Sequence, residues 1–313
     1  MKPIITLTLN PTIDGSATAD VIQPLRKIRT SDEQYHPGGG GINVARVIEE
    51  LGGKACALYL AGGTTGAILD DLLRSTGIAA QRFAIKGYTR IAHTVFERST
   101  GQEYRFVPEG PEVSAEEWGL CLAALEALDF DYVVASGSLP RGLPADAYTR
   151  VAEIADRKKA RMILDSSGPA LRQTLEKGVF LIKPNLRELE ELTGHALPDT
   201  AAQVSAARDL IAANAAKIVA LTLGSDGALL VSKDEAWSAH VPPVVARSAV
   251  GAGDSFVGGV TLALAQGKPL REMLATGVAA GTAAVLSPGA GLSQKDDVER
   301  LYVELLPSIA KIG

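Results

Sequence analysis

The sequence predicts an α/β protein built on a doubly wound, mostly parallel sheet. Short apolar segments alternate with amphipathic helical segments along the chain, most regularly after residue 130. The 32 glycines and only 5% aromatic residues suit many tight turns between strands and helices. At 313 residues the chain can bury a large core without a disulfide or metal staple. The segments predicted as strands are 4–9, 55–61, 132–136, 161–165, 179–183 and 217–223, and those predicted as helices are 42–51, 67–75, 145–159, 186–192 and 200–213.

Charge and cysteine content exclude several classes of protein. The net charge of -5 and the pI near 5.5, with no basic tail, argue against a nucleic-acid partner. Cys56 and Cys121 lie far apart in apolar segments and are expected to be reduced core thiols. No apolar run approaches the roughly 18 residues of a membrane helix, and the first apolar segment is too short for a signal peptide. We therefore expect a cytoplasmic protein without membrane partners.

Two stretches interrupt the alternation. Residues 14–37 are polar and charged without helical periodicity, and residues 82–107 suggest two or three strands. We expect them to form a small β-layer, a lid, inserted in a single domain that spans 1–313. An exposed layer of this kind needs a cover, which either substrate or a second subunit would provide.

The most informative segment is Gly251-Ala252-Gly253-Asp254, which follows a β-like stretch at 244–250 and opens a helix. Free amides of Gly251, Ala252 and Gly253 at a helix N-terminus would form an anion hole. Asp254 would then be placed to deprotonate a hydroxyl beside a bound phosphate. The alternative is a helix N-cap that follows a glycine loop.

A glycine run, Gly38 to Gly41, precedes the first predicted helix. Such a run allows a ligand to approach the backbone closely, or it serves as a hinge. Neither glycine segment matches a dinucleotide fingerprint or a P-loop, which disfavours hydride transfer and P-loop chemistry. The segment 135–140 lacks the Gly-x-Ser-x-Gly elbow of a serine hydrolase.

Two further segments follow predicted strands. Asn185 and Glu188, three residues apart after Lys183-Pro184, could hold water around a magnesium ion, or they could form a capping box. The segment 222–227 contains two glycines, and it predicts either a nucleotide pocket or a hairpin turn.

The predicted lid contains one acidic and several basic residues that suit a sugar phosphate. Asp14 would accept hydrogen bonds from hydroxyl groups, and the basic side chains would bind a phosphate. A solvated surface is the alternative. The basic residues are Arg26, Lys27, Arg29, Arg90 and Arg105.

Taken together, five ordered segments resemble the ribokinase-like (PfkB) family of carbohydrate kinases over essentially the whole chain. Within that family, the chain is most similar to the phosphofructokinase and tagatose-6-phosphate kinase branch. The segments are Thr6-Leu-Thr-Leu-Asn-Pro-Thr-Ile-Asp14, Gly38-Gly-Gly-Gly-Ile-Asn-Val-Ala-Arg46, Ser136-Gly-Ser-Leu-Pro140, Lys183-Pro-Asn-Leu-Arg-Glu188 and Val250-Gly-Ala-Gly-Asp-Ser255.

The resemblance implies a three-layer α/β/α sandwich with a small β-sheet lid that pairs with the lid of a second subunit in a homodimer. It implies ATP, Mg²⁺ and K⁺ as cofactors. Asp254 matches the catalytic base, and residues 251–253 match the anion hole. The residues implied to bind the sugar phosphate are Asp14, Lys27, Arg29, Gly39, Asn43, Arg90 and Ser138. Those implied on the ATP and magnesium side are Lys183, Asn185, Glu188, Thr222, Gly224 and Gly227. Those implied to hold K⁺, mostly through carbonyls, are Ser248, Val250, Ala284, Ser287, Gly289 and Gly291.

Two departures from the family bear on the substrate. Relatives that use fructose 1-phosphate or tagatose 6-phosphate often have Lys where this chain has Gly40, which favours fructose 6-phosphate. Relatives also tend to have Asn two places after the lid arginine, where this chain has Ala92. The expected reaction is therefore phosphorylation of fructose 6-phosphate at its 1-hydroxyl. Tagatose 6-phosphate kinase and 1-phosphofructokinase are the alternatives within the family, and a catalytically silent sugar-phosphate sensor is the alternative outside it.

Overall fold

The computed structural model describes residues 2–289 and 291–312, and within them the chain forms one ten-stranded and one four-stranded sheet. The strands of the large sheet are β1 (Ile4–Thr8), β4 (Ala55–Gly62), β5 (Ala79–Ile85), β8 (Tyr132–Ser136), β9 (Arg161–Asp165), β10 (Val179–Ile182), β11 (Ala216–Thr222), β12 (Ala228–Ser232), β13 (Ala236–Ala239) and β14 (Ala310–Lys311). Those of the small sheet are β2 (Thr12–Ala19), β3 (Thr30–Gly38), β6 (Arg90–Glu97) and β7 (Gln102–Phe106).

Helices cover both faces of the large sheet, so the predicted three-layer α/β/α architecture is confirmed. One face carries α3 (Ala115–Ala127), α4 (Ala147–Lys158), α5 (Gly168–Lys177), α6 (Leu186–Thr193) and α7 (Thr200–Ala212). The other carries α1 (Gly40–Glu50), α2 (Gly63–Thr76), α8 (Ala252–Ala265), α9 (Leu270–Leu286) and α10 (Lys295–Leu305). Because successive side chains of a strand point to opposite faces, β4 contributes Leu58 to one core layer and Tyr59 to the other.

The strand order of the large sheet is β14-β13-β12-β11-β10-β9-β8-β1-β4-β5. The strands from β11 to β5 in this order pair in parallel, and β12, β13 and β14 extend the β11 edge with antiparallel pairing. The chain order reverses at β1, which pairs with β4 on one side and β8 on the other. Ligands of open α/β sheets bind at such a reversal, outside the carboxyl ends of the strands.

The small sheet, in the order β3-β2-β6-β7, is the lid. Its bounds differ from the predicted segments in two respects. Residues 82–85 belong to β5, which pairs in parallel with β4 in the large sheet. The lid also begins earlier, at Thr12, because β2 runs on directly from the end of β1. The alternating pattern of β2 starts before residue 14, where the polar residues that predicted the lid begin.

The segment 244–250 was expected to be β-like, and this expectation was wrong. It has no strand partner among the described residues and runs as an irregular loop into α8. Val245 is 87% exposed and Val250 is buried without a strand partner in the described part of the chain, so neither of these β-branched residues indicates a strand. No helix in the described part of the chain is long and apolar enough to cross a membrane.

Candidate active site

The site lies at the carboxyl ends of β1, β8, β9 and β10, against the N-termini of α1 and α8. The sequence brings Asp254 to this edge because Gly251 has a φ of 76° and caps α8, which starts at Ala252. Only glycine adopts this backbone conformation without strain. The Oδ2 atom of Asp254 accepts a hydrogen bond of 2.8 Å from Nδ2 of Asn43 on α1. The predicted base and a predicted sugar-binding residue are therefore in contact, although they are 211 residues apart.

The amides at the start of α8 are directed towards the same space. Within the described residues, the backbone N–H groups of Gly251 and Gly253 make no hydrogen bond, and that of Ala252 reaches only Ala249 O at 3.5 Å. Gly253 is also exposed. Unbonded amides at a helix N-terminus attract an anion through their own partial charges and through the helix dipole. The predicted anion hole therefore has the required donors.

A charged pair adjoins Asp254. Nζ of Lys183 lies 3.0 Å from Oδ1 of Asp165, and both side chains are largely buried. Burial, reinforced by the charge of Asp165, raises the pKa of Asp254 to about 7, although the amide of Asn43 and the charge of Lys183 favour its ionised form. Burial alone would lower the pKa of Lys183, but Asp165 outweighs it and raises that pKa. Asp165 is a functional candidate that sequence reasoning missed, because an Asp at the end of a buried strand carries no motif by itself.

Close approaches explain the glycine run before α1. A Cβ atom at Gly38 would lie 2.0 Å from Oδ2 of Asp14, and one at Gly40 would lie 2.1 Å from Oγ of Ser136. These glycines therefore allow the backbone to contact two polar side chains of the site. Gly39, with a φ of 107°, is the N-cap of α1. This close packing disfavours a hinge, and the approach of a ligand to the run stays a prediction.

On the nucleotide side, a cavity of about 580 Å³ lies between the β11–β12 turn, α8 and α9. It is lined by the predicted residues Asn185, Thr222, Gly224 and Gly227. Lys183 lies beneath the cleft with Asp165, rather than in this cavity. The β11–β12 segment is an antiparallel hairpin, so the hairpin interpretation of 222–227 is confirmed, and the nucleotide pocket stays a prediction.

Asn185 and Glu188 form a capping box at the start of α6. Oδ1 of Asn185 accepts from the amide of Glu188, and Oε2 of Glu188 accepts from the amide of Asn185, both at 2.9 Å. The capping interpretation is therefore correct, and it does not exclude a magnesium role. Oε1 of Glu188 makes no hydrogen bond within the described residues, and a carboxylate oxygen is a ligand that suits hydrated Mg²⁺. No group of three or more His, Cys, Asp or Glu side chains in those residues could hold a metal directly.

Asp14 lies on the face of the lid that is turned to the cleft. Burial raises its pKa, and the charges of Arg105, Arg90 and Arg46 partly oppose this rise. Its neighbour in the sheet is Ala92, so an Asn at that position would stand beside Asp14.

Backbone carbonyls hold the guanidinium of Arg90. Its Nη1 donates to Pro108 O at 2.9 Å and its Nη2 to Asn10 O at 2.8 Å. Nδ2 of Asn10 in turn donates to Oγ of Ser138 at 3.3 Å. Asn10 therefore joins two predicted substrate residues, and this role was not anticipated.

Lys27 and Arg29 are not brought into the site. They are exposed on the loop between β2 and β3, and neither forms an ion pair within the described residues. The loop also exposes Leu25 fully. The tip of this loop, residues 25–29, is basic and partly apolar and forms no ion pair within the described residues, as expected of a lid that pairs with a second subunit.

The residues predicted to hold K⁺ lie in two adjacent loops. The amide of Arg247 donates to Val285 O at 2.7 Å, which joins the segment of Ser248 and Val250 to the end of α9. Oγ of Ser287 donates to Leu292 O at 3.0 Å and closes the second loop. Ala290 lies outside the described residues. The two segments are therefore adjacent, and Oγ of Ser248 also contacts the lid at Glu103, 3.3 Å away.

Comparison with known proteins agrees with this geometry. A model of the pfkB family of carbohydrate kinases matches residues 8–297. The chain is 43% identical to the ATP-dependent 6-phosphofructokinase isozyme 2 of Mycobacterium tuberculosis over 315 residues, which cover 100% of this chain and 92% of that protein. It is 33% identical to a 1-phosphofructokinase of Bacillus subtilis over 307 residues, 98% of each chain.

A similar structure has also been solved. The crystal structure of phosphofructokinase-2 from Escherichia coli in complex with potassium superposes with a TM-score of 0.94 at 38% identity, covering 98% of this chain and 100% of the other.

Proposed function

The chain belongs to the pfkB family of carbohydrate kinases, and we propose that it transfers the γ-phosphoryl group of ATP to the 1-hydroxyl of fructose 6-phosphate. The product is fructose 1,6-bisphosphate. The observation that carries this proposal is Asp254, whose pKa is raised to about 7 beside unbonded amides at the start of α8. A carboxylate with that pKa ionises near neutral pH and is still basic enough to accept a proton from a hydroxyl.

The mechanism follows from the positions of the side chains. Asp254 accepts the proton of the 1-hydroxyl as the hydroxyl oxygen attacks the γ-phosphorus in line, and the bond between the γ-phosphorus and the β,γ-bridging oxygen breaks to release ADP. Asn43 orients the carboxylate through its 2.8 Å hydrogen bond. The amides of residues 251–253 and the Lys183 ammonium stabilise the negative charge of the transferring group. Magnesium, held through water by Asn185 and Glu188, would supply further charge neutralisation.

The lid supports a phosphorylated sugar as the acceptor. Asp14 and Asn43 offer partners for sugar hydroxyls. Arg90 offers positive charge for the 6-phosphate, and Lys27 and Arg29, which lie outside the site of their own chain, would offer it from the lid of a second subunit. Gly40 favours fructose 6-phosphate, because relatives that use fructose 1-phosphate or tagatose 6-phosphate often have Lys at this position. The relatives named 6-phosphofructokinase in M. tuberculosis and phosphofructokinase-2 in E. coli point the same way.

Two alternatives remain distinct from this proposal. Tagatose-6-phosphate kinase or 1-phosphofructokinase activity would keep the same base and anion hole with a different sugar, and a B. subtilis relative has the second name. A silent sugar-phosphate sensor would have no need of Asp254 or of free amides beside it.

The proposal extends to assembly, ions and location. We infer a homodimer formed through the lid, because the lid exposes Tyr35 and Phe106 on the face opposite Asp14. We infer a K⁺ ion between the loops at 248–250 and 284–291, which the potassium complex of the E. coli protein supports. A cytoplasmic location fits both phosphorylated substrates.

ADP release from Mg-ATP with K⁺ present tests the proposal. We expect release to depend on fructose 6-phosphate and to fall by about 10³-fold or more in Asp254→Asn. Asp296→Asn, on the exposed face of α10, is the matched control and should retain full activity. Loss of less than tenfold in Asp254→Asn would show that another group is the base.

A further inference from the structure

Arg46 on α1 has contacts that the mechanism above does not use. It follows Asn43 by three residues, so the two side chains lie on one face of the helix. Nη1 of Arg46 donates to Pro37 O at 3.0 Å and lies 3.5 Å from Oδ1 of Asn43. One guanidinium therefore contacts the end of lid strand β3 and the residue that holds the base.

The contact with Arg46 affects which end of the Asn43 amide faces Asp254. A carboxamide has an oxygen that only accepts and a nitrogen that only donates. With the oxygen turned to Arg46, the nitrogen is left to donate to Asp254. A flipped amide would present its oxygen to the carboxyl group, and that contact is favourable only when Asp254 is protonated.

We propose that Arg46 is a positioning residue that fixes the amide of Asn43 with the amide nitrogen towards Asp254, so that the base is kept ionised. The hydrogen bond from Arg46 to Pro37 joins this arrangement to the lid. The inference rests on the proposed kinase function and deepens it.

Other charged groups near these residues do not account for the arrangement. Asp254 faces Asp165, Lys183 and Asp14, which lie on other elements and do not contact the Asn43 amide. Arg46 faces Asp14 on β2 and His36 on β3. On its own helix, Glu49 and Glu50 line a cavity with Arg46, but they accept bonds from the backbone amides of Ala55 and Lys295. The guanidinium is therefore free of a carboxylate partner within the described residues and available to the amide.

The test compares Arg46→Met and Arg46→Lys with the unaltered enzyme across pH 5.5 to 9, from about 1.5 units below to about 2 units above the Asp254 pKa near 7. For Arg46→Met we expect kcat to fall about 10- to 100-fold and the acidic limb of kcat/KM to move up by about 0.5–1 pH unit, because the ionised base loses support. KM for ATP should stay within about twofold. Arg46→Lys restores a donor but reaches only one of the two acceptors, so it should recover part of kcat.

Two comparisons separate positioning from a structural effect. In an Asn43→Ala background, Arg46→Met should produce no further shift of the acidic limb, because the route through the amide is gone. Arg74→Met, at an exposed site on α2, should change neither kcat nor the pH profile. An unshifted acidic limb in Arg46→Met, or an equal shift with and without Asn43, would overturn the proposal.

A measurement that does not depend on catalytic turnover keeps the test valid if the protein lacks the proposed kinase activity. Tm is measured against pH for each protein and for the same protein with Asp254→Asn. The difference between the two Tm values reports the titration of Asp254. Its folded-state pKa is raised, so the stability it gives is lost as pH rises through about 7. In Arg46→Met this loss should continue to higher pH before it levels off, because the folded-state pKa is higher. An unchanged profile would contradict the role of Arg46, whereas absence of activity in the unaltered enzyme would contradict only the kinase proposal.

Discussion

At the scale of single residues, Asp254 combines burial with a charged neighbourhood. The same features that tune it as a base make its ionisation unfavourable for folding, because charged Asp254 faces Asp165 in a poorly hydrated cleft. Activity and stability should therefore respond to pH in opposite directions around the pKa of this one side chain.

We predict that kcat/KM for the sugar phosphate falls as pH drops below about 7, the pKa of Asp254 in the free enzyme. Because this pKa is raised above the unfolded value, the protonated group favours folding and its ionisation destabilises the fold above pH 7. Asp254→Asn should thus lose activity yet raise Tm at pH 8 by at least about 2 °C. A lower Tm at pH 8 would contradict the raised pKa.

The glycine at position 40 supports a second prediction. A Cβ there would lie 2.1 Å from Oγ and 2.9 Å from Cβ of Ser136, whose hydroxyl lies 3.5 Å from Asp165. Gly40→Ala should lower kcat/KM for fructose 6-phosphate by about tenfold through displacement of Ser136 and of the neighbouring site.

The double variant Gly40→Ala/Ser136→Gly removes the two nearest atoms and should recover part of that loss. Gly119→Ala on α3 is the control, because nothing lies within 4 Å of its added carbon. A fully active Gly40→Ala would show that the close approach to Ser136 is dispensable.

At the scale of secondary-structure elements, the lid loop between β2 and β3 is anchored by the turn after β6. Oε1 of Glu97 accepts from the amide of Ile22 at 3.0 Å and from Oγ of Ser99, and Oε2 accepts from Thr100 and Tyr104. Arg98 adds ion pairs with Asp20 and Asp32. The base of the loop that carries Lys27 and Arg29 is therefore held in place.

Glu97→Gln should loosen this anchor, so we predict that KM for the sugar phosphate rises about three- to tenfold while KM for ATP is unchanged. Hydrogen bonds, first that of the Ile22 amide, lower the pKa of Glu97 to about 2. The stability it contributes is therefore present above its unfolded pKa and lost as pH falls towards 2. Glu116→Gln on α3 is the control, and an equal rise of both KM values would argue against a lid role.

The elements also show what sequence alone could predict. Buried parallel strands such as β8 and β9 could be predicted because they appear in the sequence as apolar runs. The start of α6 could be predicted from its capping box. The irregular loop at 244–250 was misread because β-branched residues indicate a strand only when the segment pairs. Asp165 and Asn10 were not assigned roles, because their contacts connect distant segments and no local spacing indicates them. Arg46 was not assigned a role, because its spacing from Asn43 does not show that its guanidinium faces the amide oxygen.

At the scale of the whole molecule, the lid has two different faces. Asp14, Arg90 and Arg105 lie on the face towards the cleft, whereas Tyr35 and Phe106 lie on the other, where they are 50% and 59% exposed. Exposed apolar side chains on an open sheet indicate that another protein surface covers this face of the lid in the functional protein.

If the lid forms the dimer interface, Phe106→Glu should convert a dimer to a monomer in light scattering after size-exclusion chromatography. It should also raise KM for the sugar phosphate, because a free lid holds its loop less firmly. Val303→Glu, at a 72% exposed position on α10, should leave the dimer intact. A dimer that persists in Phe106→Glu would place the interface elsewhere.

The most direct test of the whole account is kcat/KM, with Mg-ATP and K⁺, for fructose 6-phosphate, tagatose 6-phosphate, fructose 1-phosphate and free fructose. The account predicts that fructose 6-phosphate exceeds each of the others by at least about tenfold, a difference of about 1.4 kcal/mol in transition-state binding. Preference for another phosphorylated sugar would contradict the role given to Gly40. No turnover of any of the four would contradict the proposed activity itself.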